Sequence, residues 1–168
     1  MGQRHPAPPG RYFEDFVVGD VYEHAASRTV TTNDNMWFTL LTQNTARPHL
    51  DHHYAGKTSF GRPLVNSALT VALVTGQSVA DVSQNVKANL GWDEVRLPHP
   101  LYEDDTVYSE SEVISCRESR SHPDAGIVTV RTTGTNQHGV PVITFARTVM
   151  VYRRGHGPTD ARPAVEDR

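Results

Sequence analysis

Polar and apolar residues alternate in the second half of the chain, most clearly in the run IVTVRT at residues 127–132. This period of two, in segments rich in Val, Ile, Thr and Tyr, is typical of strands that bury one face. Turn-forming residues separate the segments, among them Asp104, Asp105 and the Gln-His-Gly at residues 137–139. The pattern predicts four strands, the last two joined as a hairpin, at residues 85–97, 106–117, 126–136 and 140–152.

The first half of the chain predicts one strand followed by two helices. Residues 21–30 come after a Gly-Asp turn and have the composition of a strand. Thr32 is a suitable N-cap for a helix, and four apolar residues follow it at roughly helical spacing: Met36, Trp37, Leu40 and Leu41. Asp51 is a suitable N-cap for a short helical turn that extends to Ala55.

Residues 64–80 form the longest segment without a charged side chain, and Pro63 stands directly before it. Proline is favoured at the first position of a helix because its missing N–H is not needed there. The segment is shorter than the roughly 20 apolar residues of a membrane span. A helix that is apolar on every face has to be covered. We therefore predict an α+β fold in which an antiparallel sheet wraps around a long central helix.

Composition and charge indicate one domain. The chain has 168 residues with 37% hydrophobic content, which is enough for one core. We place this domain at residues 11–154 and expect flexible tails at residues 1–10 and 155–168, which are rich in Pro, Gly and charge. The formal net charge of −3, with interspersed acids and bases, argues against nucleic acid and membranes as partners. With a single cysteine, Cys116, and no apolar leader segment, we expect a cytoplasmic protein.

A polar loop with several proton-handling groups lies between the first helix and the uncharged segment. Taken alone, such residues are most often helix ends, caps or exposed side chains, and Asn44 has the properties of a residue that ends the first helix. The loop also holds four candidate metal ligands: His49, Asp51, His52 and His53. Neither an HExxH motif nor paired cysteines accompany them. We therefore predict no metal and no other cofactor.

The sequence resembles the MaoC-like dehydratases and (R)-specific enoyl-CoA hydratases, which have the hot-dog fold. The resemblance extends over most of the chain and is carried by four motifs: GRYFEDFVVGDVY, FGRPLVNSALTVAL, VRLPHPLYEDDTVYSESEVI and TVRTTGTNQHGVPVITFARTVMVYRR. Within the family, the sequence is most similar to mesaconyl-CoA and itaconyl-CoA hydratase-like members. The resemblance implies a hot-dog fold and a site for an acyl-CoA thioester.

The same resemblance implies roles for individual residues. In this family an Asp and a His five residues later perform acid–base catalysis, and here these positions hold Asn44 and His49. The family's Val-His-Gly at the start of the central helix corresponds to Val65, Asn66 and Ser67. The implied oxyanion donor is the backbone N–H of Ser67, with Asn66 beside it. A histidine can take a proton from water and return one, whereas a carboxamide can only orient the water.

We expect a hydratase or dehydratase that adds water reversibly to a short 2-enoyl-CoA thioester. A branched C5 dicarboxylic acyl group, mesaconyl or itaconyl, is the more specific expectation. Two alternatives stay open: an acyl-CoA thioesterase of the hot-dog superfamily and a non-catalytic acyl-CoA-binding module. Hot-dog thioesterases generally place a carboxylate on or near the central helix, and residues 64–80 contain none.

Two further expectations concern binding partners. Arg47, Lys57 and Arg62 are candidate contacts for CoA phosphates or a substrate carboxylate. Single basic residues on loops are usually only solvated, which is the simpler interpretation of all three. A single hot-dog sheet has an exposed edge that is usually paired with a second copy, so we expect a homodimer or a higher homo-oligomer.

Overall fold

A computed structural model describes residues 10–158 of the chain. Its strands and α-helices are β1 (Val21–Glu23), β2 (Arg28–Thr29), α1 (Thr32–Leu41), α2 (His52–Ala55), α3 (Ser67–Gln77), β3 (Val86–Arg96), β4 (Thr106–Glu118), β5 (Ala125–Thr135) and β6 (Pro141–Tyr152). Two 3₁₀ turns, Phe13–Asp15 and Arg47–His49, and one π-helical turn, Val79–Ser83, complete the elements of this part. Most of both predicted tails, residues 1–9 and 159–168, lies outside the described residues. No helix within residues 10–158 is long and apolar enough to cross a membrane.

The strands form one antiparallel sheet in the order β1-β4-β5-β6-β3, and β2 also pairs with β4. The four strands predicted from alternation are confirmed, because their ends agree with β3 to β6 to within one residue. The predicted hairpin is confirmed as β5–β6. In its turn, the Asn136 side chain accepts hydrogen bonds from the N–H groups of His138 and Val140, and Gly139 has a φ of 73°. The α+β prediction is therefore correct.

The predicted first strand, residues 21–30, is divided into β1 and β2, so the prediction of one continuous strand is wrong. Glu23 pairs with Glu110 and Arg28 pairs with Val107, so four residues lie opposite two on β4. Within this bulge the ring of His24 turns inward and is buried. Its Nδ1 lies 3.0 Å from an Asp81 carboxylate oxygen, and its Nε2 lies 2.8 Å from the Ser111 hydroxyl. The His24 N–H still donates to the Ser109 carbonyl at 3.0 Å, so the pairing is interrupted only after His24.

The central helix α3 begins at Ser67, so the prediction that Pro63 occupies its first position is wrong. The preceding residues are extended because they pair with a distant segment. Leu64 forms a β-bridge with Tyr102, and the Val65 N–H donates to the Leu101 carbonyl at 2.9 Å. At its other end α3 is followed closely by the π-helical turn Val79–Ser83.

The sheet covers only one side of α3. Leu69 and Val74 are buried against side chains of β6, including Ile143 and Phe145. The other side of the helix is exposed within the single chain and carries small side chains: Ser67, Ala68, Ala72 and Gly76. The expectation that the helix is covered on every face is therefore not met by one copy, because the sheet ends at the edge strand β3.

Helix α1 turns its polar side inward, contrary to the predicted apolar face. Its N-cap is Thr31, whose side chain accepts a hydrogen bond from the Asp34 N–H. The predicted cap, Thr32, instead hydrogen-bonds to Glu103. The buried residues of α1 are polar: Asn35 and Thr39. The apolar residues are mostly exposed, with Trp37, Leu40 and Leu41 at 66%, 60% and 76% of their free surface. This reversal places two hydrogen-bonding side chains against the residues that precede α3.

Packing between α3 and β5 leaves no room for a side chain at Gly134, which gives a direct test of the fold. A methyl group there would lie 2.8 Å from methyl carbons of both Val74 and Ile143. We expect Gly134→Ala to lower the free energy of unfolding by about 1–3 kcal/mol through overpacking. Urea denaturation followed by circular dichroism measures this change.

Gly91→Ala is the matched control, because a methyl group at that position of β3 has no neighbour within 4 Å. Its unfolding free energy should stay the same or rise by up to about 1 kcal/mol, since alanine restricts the unfolded chain. Equal losses in the two variants would contradict the described contact between α3 and β5.

Candidate active site

His49 lies in the 3₁₀ turn Arg47–His49, where Pro48 restricts the backbone. Its ring is partly buried, and Nδ1 lies 2.9 Å from the carbonyl oxygen of Leu64. A carbonyl oxygen only accepts hydrogen bonds, so Nδ1 carries the proton when the ring is neutral. The other ring nitrogen, Nε2, then presents a lone pair. His49 is thus prepared to act as a base through Nε2.

The loop that carries His49 is attached to the extended segment before α3. The Leu64 N–H donates to the Pro48 carbonyl at 3.1 Å, while the Leu64 carbonyl accepts from the His49 ring. Two hydrogen bonds therefore join residues 48–49 to the residue that lies three positions before the first residue of α3. The base and the N-terminus of the helix are held close together by the backbone of Leu64.

Asn44 lies in the same loop and is fixed by its own local hydrogen bonds. Its Oδ1 accepts from the Ala46 N–H at 2.9 Å, and its backbone N–H donates to the Thr39 carbonyl at 3.0 Å. Within residues 10–158 its carboxamide NH₂ has no acceptor, so this group is available to donate. Helix α1 ends earlier, at Leu41, and the left-handed residue is Gln43 with a φ of 55°. The expectation that Asn44 ends the helix is therefore wrong.

The N-terminus of α3 leaves the N–H groups of Ser67 and Leu69 without an acceptor among residues 10–158. The Asn66 N–H donates to Asn35 Oδ1 at 2.9 Å, and the Ala68 N–H donates to Asn66 Oδ1 at 2.9 Å. Asn66 is therefore not an available oxyanion donor, which corrects that expectation. The Ser67 N–H between them has no acceptor in the described part of the chain. The helix dipole favours an anionic oxygen at this N–H. The first turn contains no acidic residue that would already satisfy the dipole.

Three buried polar residues around the site were missed from the sequence: Asn35, Thr39 and Glu103. Asn35 contacts His49, Leu64, Asn66 and Glu103, and Thr39 Oγ1 accepts from the Asn66 side chain at 3.1 Å. Asn35 and Thr39 are four residues apart, so their spacing was a usable signal for a shared helix face.

The basic candidates differ in how they are held. Arg47 forms an ion pair with Asp51 at 2.7 Å and stacks on the Tyr54 ring at 4.3 Å, while 62% of its side chain stays exposed. Arg62 stacks on the Tyr102 ring, with 3.8 Å from its Cζ to the ring centre. Lys57 is exposed and has no side-chain partner among residues 10–158. Arg47 therefore has a local role, whereas Lys57 and Arg62 leave their charge open to a ligand.

Asp51 is confirmed as the N-cap of α2. Its Oδ1 accepts from the Tyr54 N–H at 2.8 Å. This hydrogen bond, together with that from Arg47, holds the pKa of the Asp51 carboxyl below its usual value. The two neighbouring histidines have different contacts. His52 Nε2 lies 3.8 Å from Glu103 Oε2, whereas His53 is exposed. Within residues 10–158 no three metal-ligating side chains form a group.

An antiparallel sheet around a central helix, with a histidine loop at the N-terminus of that helix, defines a MaoC-like protein of the hot-dog class. The particular family follows from the sequence match. The family model described as mesaconyl-CoA hydratase matches residues 5–168, and the chain belongs to that family.

Characterised relatives are similar along nearly the whole chain. It is 34% identical over 158 residues to the mesaconyl-CoA hydratase of Cereibacter sphaeroides, which covers 94% of this chain and 46% of the relative. It is 34% identical over 159 residues to the beta-methylmalyl-CoA dehydratase of Chloroflexus aurantiacus, covering 95% of this chain and 45% of the relative. The chain thus spans about half the length of these curated relatives.

Solved structures confirm the hot-dog fold. A MaoC domain protein from Chloroflexus aurantiacus superposes with a TM-score of 0.84 at 32% identity, covering 97% of this chain and 45% of that chain. A conserved hypothetical protein from Mycobacterium tuberculosis with a double hotdog fold gives a TM-score of 0.80 at 26% identity. That match covers 93% of this chain and 47% of the double-hotdog chain. This chain therefore corresponds in extent to one hot-dog unit.

Proposed function

We propose that the protein is a hydratase or dehydratase that adds water reversibly to a short 2-enoyl-CoA thioester. One observation carries this proposal: the His49 ring, whose Nδ1 is bonded to the Leu64 carbonyl, is attached through Leu64 to a helix N-terminus where the Ser67 N–H has no acceptor among residues 10–158. Hydration of an enoyl thioester needs a base for water and a donor for the oxygen that becomes negative. His49 and the Ser67 N–H provide these two functions.

The reaction divides between the two groups as follows. The thioester oxygen accepts a hydrogen bond from the Ser67 N–H. His49 Nε2 takes a proton from water as the water oxygen bonds to the β-carbon, and the enolate charge collects on the thioester oxygen. The protonated Nε2 then returns its proton to the α-carbon, so that H and OH are both added. Nδ1–H remains bonded to Leu64 throughout, which keeps the ring in one orientation.

Asn44 holds the attacking water in this scheme. Its Oδ1 accepts from the Ala46 N–H, and its NH₂, which has no acceptor among residues 10–158, donates to the water oxygen. This hydrogen bond orients the water so that an oxygen lone pair points at the β-carbon. The proton of the water is left for His49 to accept. One histidine then performs all the proton transfer.

A C5 dicarboxylic acyl group, mesaconyl or itaconyl, is the substrate that we favour. The printed activities of the relatives, a mesaconyl-CoA hydratase and a beta-methylmalyl-CoA dehydratase, support this choice. Lys57 and Arg62 are the open cations of the described surface near the loop, and either can contact a substrate carboxylate or a CoA phosphate.

We also propose that the protein works as a pair of hot-dog units, with a second copy of this chain as the partner. Strand β3 is a sheet edge, and it exposes Leu90, Trp92 and Val95 at 49%, 43% and 37%. The small-residue side of α3 is also exposed. The double-hotdog relative is about twice as long, which supports a second unit beside the first.

The thioesterase alternative is less well supported. The acidic residue nearest to α3 in sequence on its C-terminal side is Asp81, in the turn Val79–Ser83. Burial alone would raise the pKa of this carboxyl, but hydrogen bonds from His24 and Arg11 lower it. Both of its oxygens are already engaged, at 3.0 Å from His24 and 2.7 Å from Arg11. The Asp81 carboxylate in this turn is therefore not free to act as a nucleophile or a base.

Three thioesters separate the alternatives. The pure protein is incubated with crotonyl-CoA, mesaconyl-CoA and itaconyl-CoA while the enoyl absorbance and free thiol are followed. Loss of enoyl absorbance without thiol release supports hydration. Thiol release supports a thioesterase, and binding of CoA esters without either change supports a non-catalytic module.

His49→Ala should lower the hydration rate by about 10²-fold or more, because general acid–base catalysis has this weight. Initial rates on mesaconyl-CoA measure the loss, and circular dichroism checks the fold. His53→Ala is the control, since His53 is exposed on the neighbouring helix α2 and should be near neutral. An alanine variant of His49 that retains most of its turnover would remove this residue from the mechanism.

Ser67→Pro should lower the hydration rate by about 10²- to 10³-fold, because it deletes the proposed oxyanion donor. Proline fits this position: Ser67 is the first residue of α3, and Asn66 before it has φ −57° and ψ 128°, the extended geometry that proline prefers. Ser67→Ala keeps the N–H and should be mild. Similar rates for the two variants, with both proteins folded, would move the oxyanion site elsewhere.

Asn44→Asp should lower activity, and more on mesaconyl-CoA than on crotonyl-CoA. The substituted oxygen can still accept from the Ala46 N–H, so the turn is kept. The new carboxylate would compete with His49 for the proton and repel a substrate carboxylate. Rates on both substrates across pH measure the effect. A gain on every substrate would show that the site needs two titrating groups, and equal losses would remove the substrate carboxylate from this region.

A further inference from the structure

The side chain of Asn35 occupies the centre of the polar contacts behind the site. It is completely buried in the first turns of α1, with 0% of its surface exposed. Its NH₂ lies 2.9 Å from the Leu64 carbonyl, 3.1 Å from Glu103 Oε1 and 3.3 Å from the His49 carbonyl. Its Oδ1 accepts the Asn66 N–H at 2.9 Å. One carboxamide thus contacts four residues from three separate segments of the chain.

These contacts hold the two halves of the catalytic arrangement. The Leu64 carbonyl bound by Asn35 is the same oxygen that accepts the His49 ring at 2.9 Å. The His49 carbonyl is bound directly by the same NH₂. The Asn66 N–H, bound by Oδ1, belongs to the residue that caps α3 next to the free Ser67 N–H. Asn35 therefore fixes the histidine and the helix N-terminus relative to each other.

Glu103 fixes which way the Asn35 carboxamide points. Its Oε1 accepts from the Asn35 NH₂, and its Oε2 accepts from the Thr32 hydroxyl at 2.6 Å. A flipped carboxamide would place its oxygen against three other oxygens and its NH₂ against the Asn66 N–H. Glu103 is itself 91% buried, so the penalty for such unpaired groups is large. The carboxylate thus selects one orientation of Asn35.

We propose that Asn35 is a positioning residue that sets the geometry between the His49 base and the Ser67 oxyanion donor, and that Glu103 orients it. This inference rests on the proposed hydratase function. Neither residue contacts the reacting atoms in this scheme. Their contribution is the placement of groups that do, and a displacement of about 1 Å in such a site can cost on the order of 10²-fold in rate.

Asn35→Asp is the sharpest single change. It keeps the oxygen that accepts the Asn66 N–H and replaces the NH₂ by an oxygen facing the Leu64 and His49 carbonyls and the Glu103 carboxylate. We expect kcat to fall by about 10²-fold with a much smaller change in KM, because placement of the reacting groups is affected. The melting temperature should also fall, since two carboxylates then meet in a buried site. Asn33→Asp, the same change at an exposed position of α1, is the control.

The double variant Asn35→Asp/Glu103→Gln separates positioning from stability. It restores one amide opposite one carboxylate, so the melting temperature should recover most of its loss. It restores no donor to the Leu64 or His49 carbonyl, so kcat should stay low. Recovery of kcat together with the melting temperature would overturn the proposal, because both residues would then serve only the fold. The double variant also keeps the test open if Asn35→Asp alone does not fold.

Nitrogen NMR of the His49 ring gives a readout that does not depend on activity. The wild-type ring should be protonated at Nδ1 and donate to the Leu64 carbonyl. Both variants that lack the Asn35 NH₂ should let this carbonyl move, so the Nδ1–H···O hydrogen bond should lengthen and the Nδ1–H proton should exchange faster with water. An unchanged exchange rate in both variants would overturn the positioning role. If no thioester is hydrated even by the wild type but the exchange rate rises in the variants, the proposed function fails and the positioning role stands.

Discussion

The carbonyl oxygen of Leu64 receives two hydrogen bonds of 2.9 Å, from the ring of His49 and from the carboxamide of Asn35. A carbonyl has two lone pairs, so its acceptor capacity is filled. This shared acceptor decides the tautomer of the histidine, the distance of its loop from α3 and the place where α1 must pack. The extended conformation of residues 64 and 65 follows from the same requirement, because a helical start at Pro63 would direct this carbonyl along the helix axis.

The strands could be predicted from sequence because β3 to β6 are rich in Val, Ile, Thr and Tyr and are separated by turn-forming residues. The helices were harder to predict because their boundaries and faces depend on distant partners. Leu64 and Val65 are extended since they pair with Tyr102 and Leu101, and no local signal near Pro63 reports that pairing. The apolar spacing of α1 does not indicate which side is buried, because burial of Asn35 is stabilised by residues that are 14 to 68 positions away.

The candidate site was predictable to the extent that it is local. Asn44 and His49 lie in one loop, and the resemblance assigned their roles from the five-residue spacing of the family's Asp and His. Ser67 was assigned as a donor in the same way and remains a prediction, whereas the assignment of Asn66 failed because its N–H is taken by a side chain from another helix. Glu103 carried no sequence signal at all, since its neighbours Asp104 and Asp105 made it part of an acidic turn. A carboxylate in such a run is normally solvated.

The exposed apolar side of α1 has a practical consequence for spectroscopy. The chain has two tryptophans, Trp37 on that side and Trp92 on the edge strand β3, with 66% and 43% of their surfaces exposed. Neither indole belongs to the hydrophobic core, although the Trp92 N–H donates to the Thr75 hydroxyl at 3.3 Å. Intrinsic fluorescence changes when a partner covers either of these surfaces, and replacing either tryptophan by phenylalanine tells the surfaces apart. The protein therefore carries an optical reporter of contact on each surface.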